Sequence, residues 1–193
     1  MKCIPQVLRN STIGSGSWLE LNELIFTDSS GTERKWENVT RNQCLGAVAI
    51  IPCLKPSNRL ILIRQYRPPA DSYVIEFPAG LIDDGETAES TAIRELYEET
   101  GYTGTIKKMT MPVYNSPGLT SETVNIAIMD IQETDQCNIN PEQHLEDGED
   151  IETIIVPITN LQTFIAEAHD RGDAIDAKVM SFVQAYEMKT AFI

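Results

Sequence analysis

Apolar residues recur along this chain in short runs of the length that strands need. Residues 18–26 and 32–39 flank a turn at Asp28-Ser-Ser-Gly31, which predicts an N-terminal β-hairpin. Further apolar runs predict strands, ending at or near proline, glycine or polar clusters, at 45–54, 60–66, 74–80, 103–114, 123–131 and 151–156. A turn-rich loop is predicted at 115–122 and an acidic one at 133–150.

Helical patterns follow the strands at 87–100, 158–169 and 174–190. Strands interleaved with helices in this way predict an α/β fold, with an α/β/α sandwich built around a mixed sheet. The first roughly forty residues read as an added β subdomain. We therefore divide the chain into an N-terminal subdomain, 1–42, and a larger domain, 43–193.

The helix predicted at 87–100 has a signal at each end. Thr87 suits the N-cap position, and Gly101 suits the left-handed residue that ends a helix. A core-facing stripe about 100–200° around the helix from its glutamate face is predicted to consist of Ile93, Leu96 and Tyr97.

Glu95, Glu98 and Glu99 lie at i, i+3 and i+4 in this helix, so they share one face. Three like charges so close together are destabilising unless a cation joins them. A hard divalent cation such as Mg²⁺ is the natural partner for clustered carboxylates. The alternative is a solvated acidic face, which is what most glutamate runs form.

The net charge of the chain limits the kinds of molecule that it is expected to bind. The chain has a formal charge of −14 and carries no Lys or Arg between Met109 and Asp170, which argues against binding nucleic acid or an anionic membrane. No apolar run approaches the ~18 residues of a membrane span, and no signal peptide is evident. The cysteines lack C-x-x-C spacing and read as reduced thiols, so we expect a cytoplasmic protein, with the nucleus as the alternative; they are Cys3, Cys44, Cys53 and Cys137.

The segment 80–102 resembles the Nudix box, G-x5-E-x7-R-E-U-x-E-E-x-G-U, where U is a bulky residue. Every specified position is filled, with Tyr102 a loose fit to the last, by Gly80, Glu86, Arg94, Glu95, Leu96, Glu98, Glu99, Gly101 and Tyr102. The resemblance implies a Nudix-type sandwich and a metal-dependent hydrolase that acts on a nucleoside diphosphate linked to another group.

Residues outside the box are similar to the ADP-ribose (ADP-sugar) pyrophosphatase branch of that family. The similarity is strongest at Arg67-Pro-Pro and over 75–86, and Pro117 lies fifteen residues beyond Tyr102, a spacing that goes with ADP-ribose use in the family. It implies hydrolysis of ADP-ribose to AMP and ribose 5-phosphate. The rivals are another ADP-sugar, an oxidised nucleotide such as 8-oxo-dGDP, and a non-catalytic module that binds ADP-ribose.

Trp18 and Trp36 both fall on the predicted hairpin. A tryptophan by itself is usually a core or cross-strand residue, but it is also a good platform for a purine ring. In the resembled enzymes two such tryptophans, one from each subunit, sandwich the adenine, so the resemblance implies a homodimer. Glu37 is predicted to bind a ribose hydroxyl or the adenine amine; the alternative is an exposed strand residue with no contact to substrate.

Arg41 and Arg67 are the predicted diphosphate contacts, because the guanidinium fork matches phosphate oxygens. Surface ion pairs are the alternative in so acidic a chain. Leu81 and Ser116 complete the predicted substrate contacts. Ser116 stands where animal members look to carry an acidic residue, which puts the contacts to the terminal ribose in doubt.

For the chemistry, the resemblance implies direct Mg²⁺ ligation by Glu95 and Glu99, with Mn²⁺ as an alternative metal. Glu98 would be a further ligand or a water-mediated partner, the Ala79 carbonyl would add an oxygen, and Arg94 would hold the glutamates by ion pairing. The general base is predicted to be Glu149, which could instead bind metal or belong to a merely solvated loop. Glu122 is a second candidate base.

Overall fold

Two sheets and four helices make up the computed structural model, which describes residues 2–42 and 44–191. Gln43, at the predicted domain boundary, and the terminal residues Met1, Phe192 and Ile193 lie outside the described residues. The strands are β1 Gln6–Ser15, β2 Leu19–Thr27, β3 Glu33–Arg41, β4 Ala47–Lys55, β5 Arg59–Arg67, β6 Ser72–Glu76, β7 Ala79–Leu81, β8 Thr105–Met109, β9 Val113–Tyr114, β10 Thr123–Gln132, β11 Ile151–Pro157 and β12 Ala174–Ile175. The helices are α1 Ala88–Thr100, α2 Gln136–Ile139, α3 Leu161–Asp170 and α4 Ala177–Ala191.

The small N-terminal sheet is antiparallel with strand order β1-β2-β3. Its β2–β3 hairpin confirms the prediction, whereas β1 was missed. Nearly every residue of β1 is exposed, so its sequence has no alternation to detect. A polar rung aligns the three strands: buried Asn22 accepts from the Thr12 hydroxyl at 3.0 Å and donates to Thr40 Oγ1 at 2.9 Å.

The large sheet has nine strands and is mixed. Its central strand β4 runs parallel to β10 and pairs antiparallel with β5 at one end and with β7 at the other. Because β5 and β7 pair with opposite ends of β4, the two strands separate from each other along it. After β7 the chain enters a turn and then α1, which lies beside the centre of the sheet. This divergence opens the place where the box residues lie.

Alternate residues of β5 pack on opposite faces of the large sheet. Ile61 joins a buried cluster with Leu96 of α1, while Leu60 and Leu62 join a cluster with residues of α3 and α4. Helices therefore cover both faces, and the predicted α/β/α sandwich is confirmed. Within the described chain no helix is long and apolar enough to cross a membrane.

Four predicted elements differ in detail. The strand expected at 74–80 is divided into β6, which pairs with β5, and β7, which pairs with β4. The strand expected at 103–114 is broken into β8 and β9, since Pro112 cannot donate to a ladder and Thr110 instead exchanges hydrogen bonds with Ile126. The acidic loop contains the short helix α2, and the last helix is preceded by the short strand β12.

Helix α1 begins and ends where its sequence predicts. Thr87 Oγ1 accepts from the Ser90 amide at 3.2 Å, Ser90 Oγ accepts from the Thr87 amide at 2.9 Å, and Gly101 adopts φ 74°. The predicted stripe is wrong in two of its three members. Leu96 is fully buried, but Ile93 and Tyr97 are 48% and 40% exposed.

The helix is rotated so that its buried face consists of Thr91, Ala92, Leu96, Glu99 and Thr100. A small residue at 92 lets α1 lie close to the sheet, which turns one carboxylate of the glutamate face inward. Core face and acidic face therefore overlap at Glu99.

Candidate active site

Strand β7 places its glycine, Gly80, directly against a carboxylate of α1. A Cβ atom added to Gly80 would lie 1.7 Å from Glu95 Oε1 and 1.9 Å from its Cδ. No side chain can occupy position 80 while Glu95 keeps this conformation. The first glycine of the box thus makes room for a catalytic candidate rather than serving the backbone bend.

Arg94 organises the carboxylates of the box. Its Nε and Nη2 bind both oxygens of Glu86 at 2.8 Å, and its Nη1 binds Glu95 at 2.8 Å and Glu98 at 3.0 Å. Nη2 also donates to the Leu81 carbonyl at 3.3 Å. One guanidinium therefore joins the turn to the helix and fixes three acids.

The charges of this network stabilise one another. Hydrogen bonds from Arg94 and then Thr91 lower the pKa of the Glu86 carboxyl to about 2. The same hydrogen bonding to Glu86 keeps the pKa of Arg94 above its ordinary value, despite partial burial. Glu86 is thus the structural anchor of Arg94, a role for which its box position alone offers no explanation.

Glu99 is the most deeply buried acid of the cluster, with 3% of its surface exposed. Its Oε2 accepts from the Ala79 amide at 3.0 Å. Burial raises the pKa of Glu99 to about 9; the Ala79 hydrogen bond and the charge of Arg67 oppose this shift, while the charges of Glu95 and Glu149 add to it. Burial likewise raises the pKa of Glu95 to about 6, against the effect of Arg94.

The acidic loop completes the cleft from the far side. Glu149 and Glu146 lie across from α1, and the loop turns between them at Gly148, whose φ is 91°. Glu149 Oε2 accepts from the Glu146 amide at 2.9 Å, and the Glu149 amide donates to the Glu146 carbonyl at 3.1 Å. The cleft is lined by Ala79, Gly80, Leu81, Asp83, Arg94, Glu95, Glu98, Glu146 and Glu149. Glu146 was not predicted, because it is one of many acids in that loop and no spacing distinguishes it.

This donor set fits a hard divalent cation. Glu95, Glu98 and Glu149 face one cleft, and the buried carboxyl of Glu99 holds a proton at neutral pH that a cation could replace. Within the described residues no three acidic, His or Cys side chains already converge on one point, since Arg94 draws Glu95 and Glu98 aside. The burial of Glu95 and Glu99 shows that the alternative of a solvated helix face is wrong.

Both predicted phosphate-binding arginines are in ion pairs. Arg67 binds both oxygens of Glu76, with its shortest contact at 2.7 Å, and its charge is felt by Glu99. Arg41 binds Glu122 at 3.1 Å beside Cys44, so the second candidate base is engaged there. About two fifths of each arginine side chain remains exposed.

The predicted adenine contacts lie on the surface of the small sheet. Trp36 is 50% exposed and its Nε1 donates to the Gly118 carbonyl at 3.1 Å, which brings it beside Pro117. Trp18 is 77% exposed. The β3 amide of Val39 donates to the Leu119 carbonyl at 2.8 Å, so the small sheet docks on the 115–122 loop.

The remaining predicted substrate residues are scattered along these same elements. Glu37 is exposed on β3, opposite Glu23 of β2. Ser116 is exposed, and its carbonyl accepts from the amides of Leu119 and Thr120. Leu81 lines the acidic cleft. The structure thus gathers Ala79, Glu95, Glu98 and Glu149 in one cleft together with Leu81, and buries Glu99 beside Ala79. The other predicted substrate contacts lie apart from it: Trp36, Glu37, Arg41 and Ser116 on the small sheet and the loop it rests on, Trp18 just before β2, and Arg67 on β5.

Comparisons with known proteins agree with this geometry. The family model described as NUDIX domain matches residues 45–181. An uncharacterized Nudix hydrolase of Schizosaccharomyces pombe is 37% identical over 92% of this chain and 91% of its own length. The ADP-sugar pyrophosphatase of Mus musculus is 36% identical over 91% of this chain and 84% of its own.

Two further comparisons extend the match. The ADP-ribose pyrophosphatase of Saccharomyces cerevisiae is 32% identical, over 89% of this chain and 78% of its own length. A crystal structure of an ADP compounds hydrolase superposes with a TM-score of 0.72 at 25% identity, covering 100% of this chain and 98% of that one.

Proposed function

This chain belongs to the Nudix hydrolase family, and from that premise we propose that it hydrolyses the diphosphate of ADP-ribose and related ADP-sugars. Water would add to one phosphorus of ADP-ribose and the bridging P–O bond would break, releasing AMP and ribose 5-phosphate. The observation that carries the proposal is the carboxylate cleft organised by Arg94. Its substrate is suggested by the ADP-sugar and ADP-ribose pyrophosphatases that match most of the chain.

Mg²⁺, or alternatively Mn²⁺, would be held by Glu95, Glu99 and Glu98 with the Ala79 carbonyl. When bound, such a cation neutralises diphosphate charge and lowers the pKa of a water ligand. Arg94 contributes by fixing the positions of Glu95 and Glu98, as its two hydrogen bonds to them support. In our proposal it is a positioning residue and does not itself transfer a proton.

Glu149 is the proposed general base, taking a proton from the attacking water. Its place in the cleft opposite Glu95 and Glu98 supports this role, and Gly148 lets the loop bend towards bound substrate. The Glu146 amide donates to Oε2 of Glu149, so Oε1 does not take part in that hydrogen bond. Glu122 is the less favoured base, because Arg41 neutralises it.

Substrate recognition would rest on the small sheet and its docking loop, with further contacts from β5 and β7 of the large sheet. We propose that the adenine stacks on tryptophan, the diphosphate meets arginine, and the ribose groups meet the remaining polar contacts. The residues concerned are Trp18, Trp36, Glu37, Arg41, Arg67, Leu81 and Ser116. The exposure of both tryptophans supports this assignment, since it leaves their rings accessible for stacking with a base.

We also propose that the protein is a homodimer in which residues 1–42 supply dimer and adenine contacts to the hydrolase domain, 43–193. Exposed apolar residues on the small sheet support it, including Val7, Leu8, Leu21 and both tryptophans. Light scattering should give twice the chain mass of 21.5 kDa; a monomer would contradict the shared adenine site. A cytoplasmic or nuclear location also stays a prediction, which imaging of the tagged protein would check.

A substrate panel with product identification tests the function. ADP-ribose, other ADP-sugars and 8-oxo-dGDP would be compared at saturating Mg²⁺, with chromatography of the nucleotide products. We expect the highest kcat/KM for ADP-ribose or another ADP-sugar, with AMP as product. A higher kcat/KM for 8-oxo-dGDP would overturn the substrate assignment, and ADP-ribose binding without turnover would indicate a binding module.

A further inference from the structure

The carboxylate helix α1 ends against a segment that is distant in sequence. A helix leaves its last carbonyls without partners inside the helix, and two of them here are satisfied by residues in the second half of the acidic loop. The Glu98 carbonyl accepts from the His144 amide at 2.8 Å, and the Glu99 carbonyl accepts from Gln143 Nε2 at 2.6 Å.

Gln143 also reaches the strand that follows the loop. Its Nε2 donates to the Ile151 carbonyl at 3.0 Å and lies 3.1 Å from Thr153 Oγ1. One side-chain amide therefore ties the end of α1 to the beginning of β11. Residues 144–150, the part of the acidic loop that carries Glu146 and Glu149, start and finish at this junction.

Neighbouring contacts show that the junction is tightly built. A Cβ atom at Gly101 would lie 2.5 Å from the backbone of Glu142, so glycine is needed for this close approach. The rings of Tyr97 and His144 stack with centroids 4.6 Å apart and an angle of 24° between planes. The base of the loop is thus held against the helix that carries Glu95, Glu98 and Glu99.

The tip of the loop is held differently. The two hydrogen bonds between Glu146 and Glu149 are internal to the loop, so they preserve its turn without attaching it to α1. The position of Glu149 relative to the helix carboxylates therefore depends on how the two ends of the loop are anchored.

We propose that Gln143 is a positioning residue for hydrolysis, which sets the loop bearing Glu149 against the carboxylates of α1. This inference rests on the proposed function, in which Glu149 is the base. Gln143 acts through the loop and would contact neither the attacking water nor the substrate. A misplacement of about 1 Å can cost roughly 10²-fold in rate, so loss of this anchor should be visible in kcat.

The first test is Gln143→Met, which keeps the length of the side chain and removes its N–H donors. Gln143 is an exposed residue and belongs to neither buried hydrophobic cluster, so the change leaves the core intact. We expect kcat for ADP-ribose to fall about 10- to 100-fold, with KM and the Mg²⁺ concentration for half-activation within about threefold of wild type. Gln136→Met is the matched control, making the same change at an exposed position of the same connection, and it should retain wild-type kcat.

A double mutant separates positioning from general damage. If Gln143 acts through Glu149, the kcat of Gln143→Met with Glu149→Gln should be close to that of Glu149→Gln alone. Independent, multiplying losses would overturn the proposal. So would a Gln143→Met variant within about twofold of wild type, or a Glu149→Gln variant with unchanged kcat.

Hydrogen exchange supplies a readout that needs no activity. Gln143→Met should speed amide exchange in 144–150, and Gln136→Met should not. Unchanged exchange in that segment would overturn the anchor even in an active enzyme. Faster exchange in a protein that fails to hydrolyse any ADP-sugar would instead support the anchor and reject the proposed function.

Discussion

Helix α1 and the N-terminal sheet both carry predicted site residues, yet they hold them in opposite ways. In α1 the carboxylates are fixed by named partners: Arg94 binds Glu95 and Glu98, and the Ala79 amide binds Glu99, which is 3% exposed. The small sheet leaves Trp18 and Trp36 77% and 50% exposed.

This contrast matches what the two proposed roles would require. Carboxylates that bind metal and orient water need fixed positions and a low dielectric, which burial provides at a cost in folding stability. A surface that stacks on adenine must stay accessible until the ligand arrives. Variants of α1 should therefore change mainly kcat, and variants of the sheet mainly KM.

Among the variants of α1, Glu99→Gln is expected to lower kcat the most. It removes a carboxylate while keeping its size, so we expect kcat to fall by about 10³-fold or more, with circular dichroism unchanged. The control is Glu89→Gln, the same change on an exposed residue of the same helix. A kcat near wild type for Glu99→Gln would remove Glu99 from the metal ligands.

Gly80→Ala should have the next largest effect. Its Cβ collides with Glu95 at 1.7 Å, so Glu95 must leave its place. We expect kcat to fall about 10²-fold and unfolding free energy to drop by about 1–3 kcal/mol, measured by steady-state kinetics and urea titration.

Gly14→Ala serves as the control for Gly80→Ala, because the nearest atom to its Cβ would be Leu21 Cβ at an ordinary 3.9 Å. Equal losses in the two variants would show that the effect at position 80 is not due to Glu95.

On the sheet side, Trp36→Ala should raise KM for ADP-ribose about 5- to 100-fold and leave kcat within about threefold, since base stacking is worth ~1–3 kcal/mol. Trp36→Phe keeps an aromatic face and should recover most of the affinity. A fall in kcat with unchanged KM would erase the contrast between the two regions.

The last prediction concerns how stability, rather than turnover, depends on pH. The pKa of Glu99 is about 9 in the fold, against 4.5 as its ordinary value. The folded state therefore holds a proton that the unfolded state releases, and this contribution to stability is lost as pH rises from about 4.5 to about 9.

The Tm of wild type minus that of Glu99→Gln, both without divalent metal, should accordingly decrease across this pH range. Thermal melts at several pH values measure it. Parallel Tm curves for the two proteins would mean that Glu99 is not desolvated as the structure places it.

Much of the fold was predictable because its signals are local. Most strand runs of the large sheet, the cap at Thr87 and the end at Gly101 depend on neighbouring residues, and these predictions are confirmed. Strand β1 was missed because an exposed edge strand has no pattern of burial. The stripe of α1 was misjudged because the rotation of a helix depends on what it packs against.

For the site, spacing alone placed Glu95, Glu98 and Glu99 on one helix, but it treated them as one face with one environment. The sheet decided that Glu99 turns inward while Glu98 stays half-exposed beside Arg94. Gln143 and Glu146 could not have been found, because their roles arise from contacts between segments far apart in the chain.

The sequence by itself determined the class of chemistry, a metal-dependent hydrolase, because the box residues lie close together in the chain. Within a short turn and one helix, the spacing of residues in the sequence sets their spacing in the structure. Tertiary structure decided how those residues are used. It set the burial that raises the pKa of Glu99, put Gly80 beneath Glu95, and brought the acidic loop across from α1. These depend on packing across the sheet and on long-range hydrogen bonds, which no local pattern encodes.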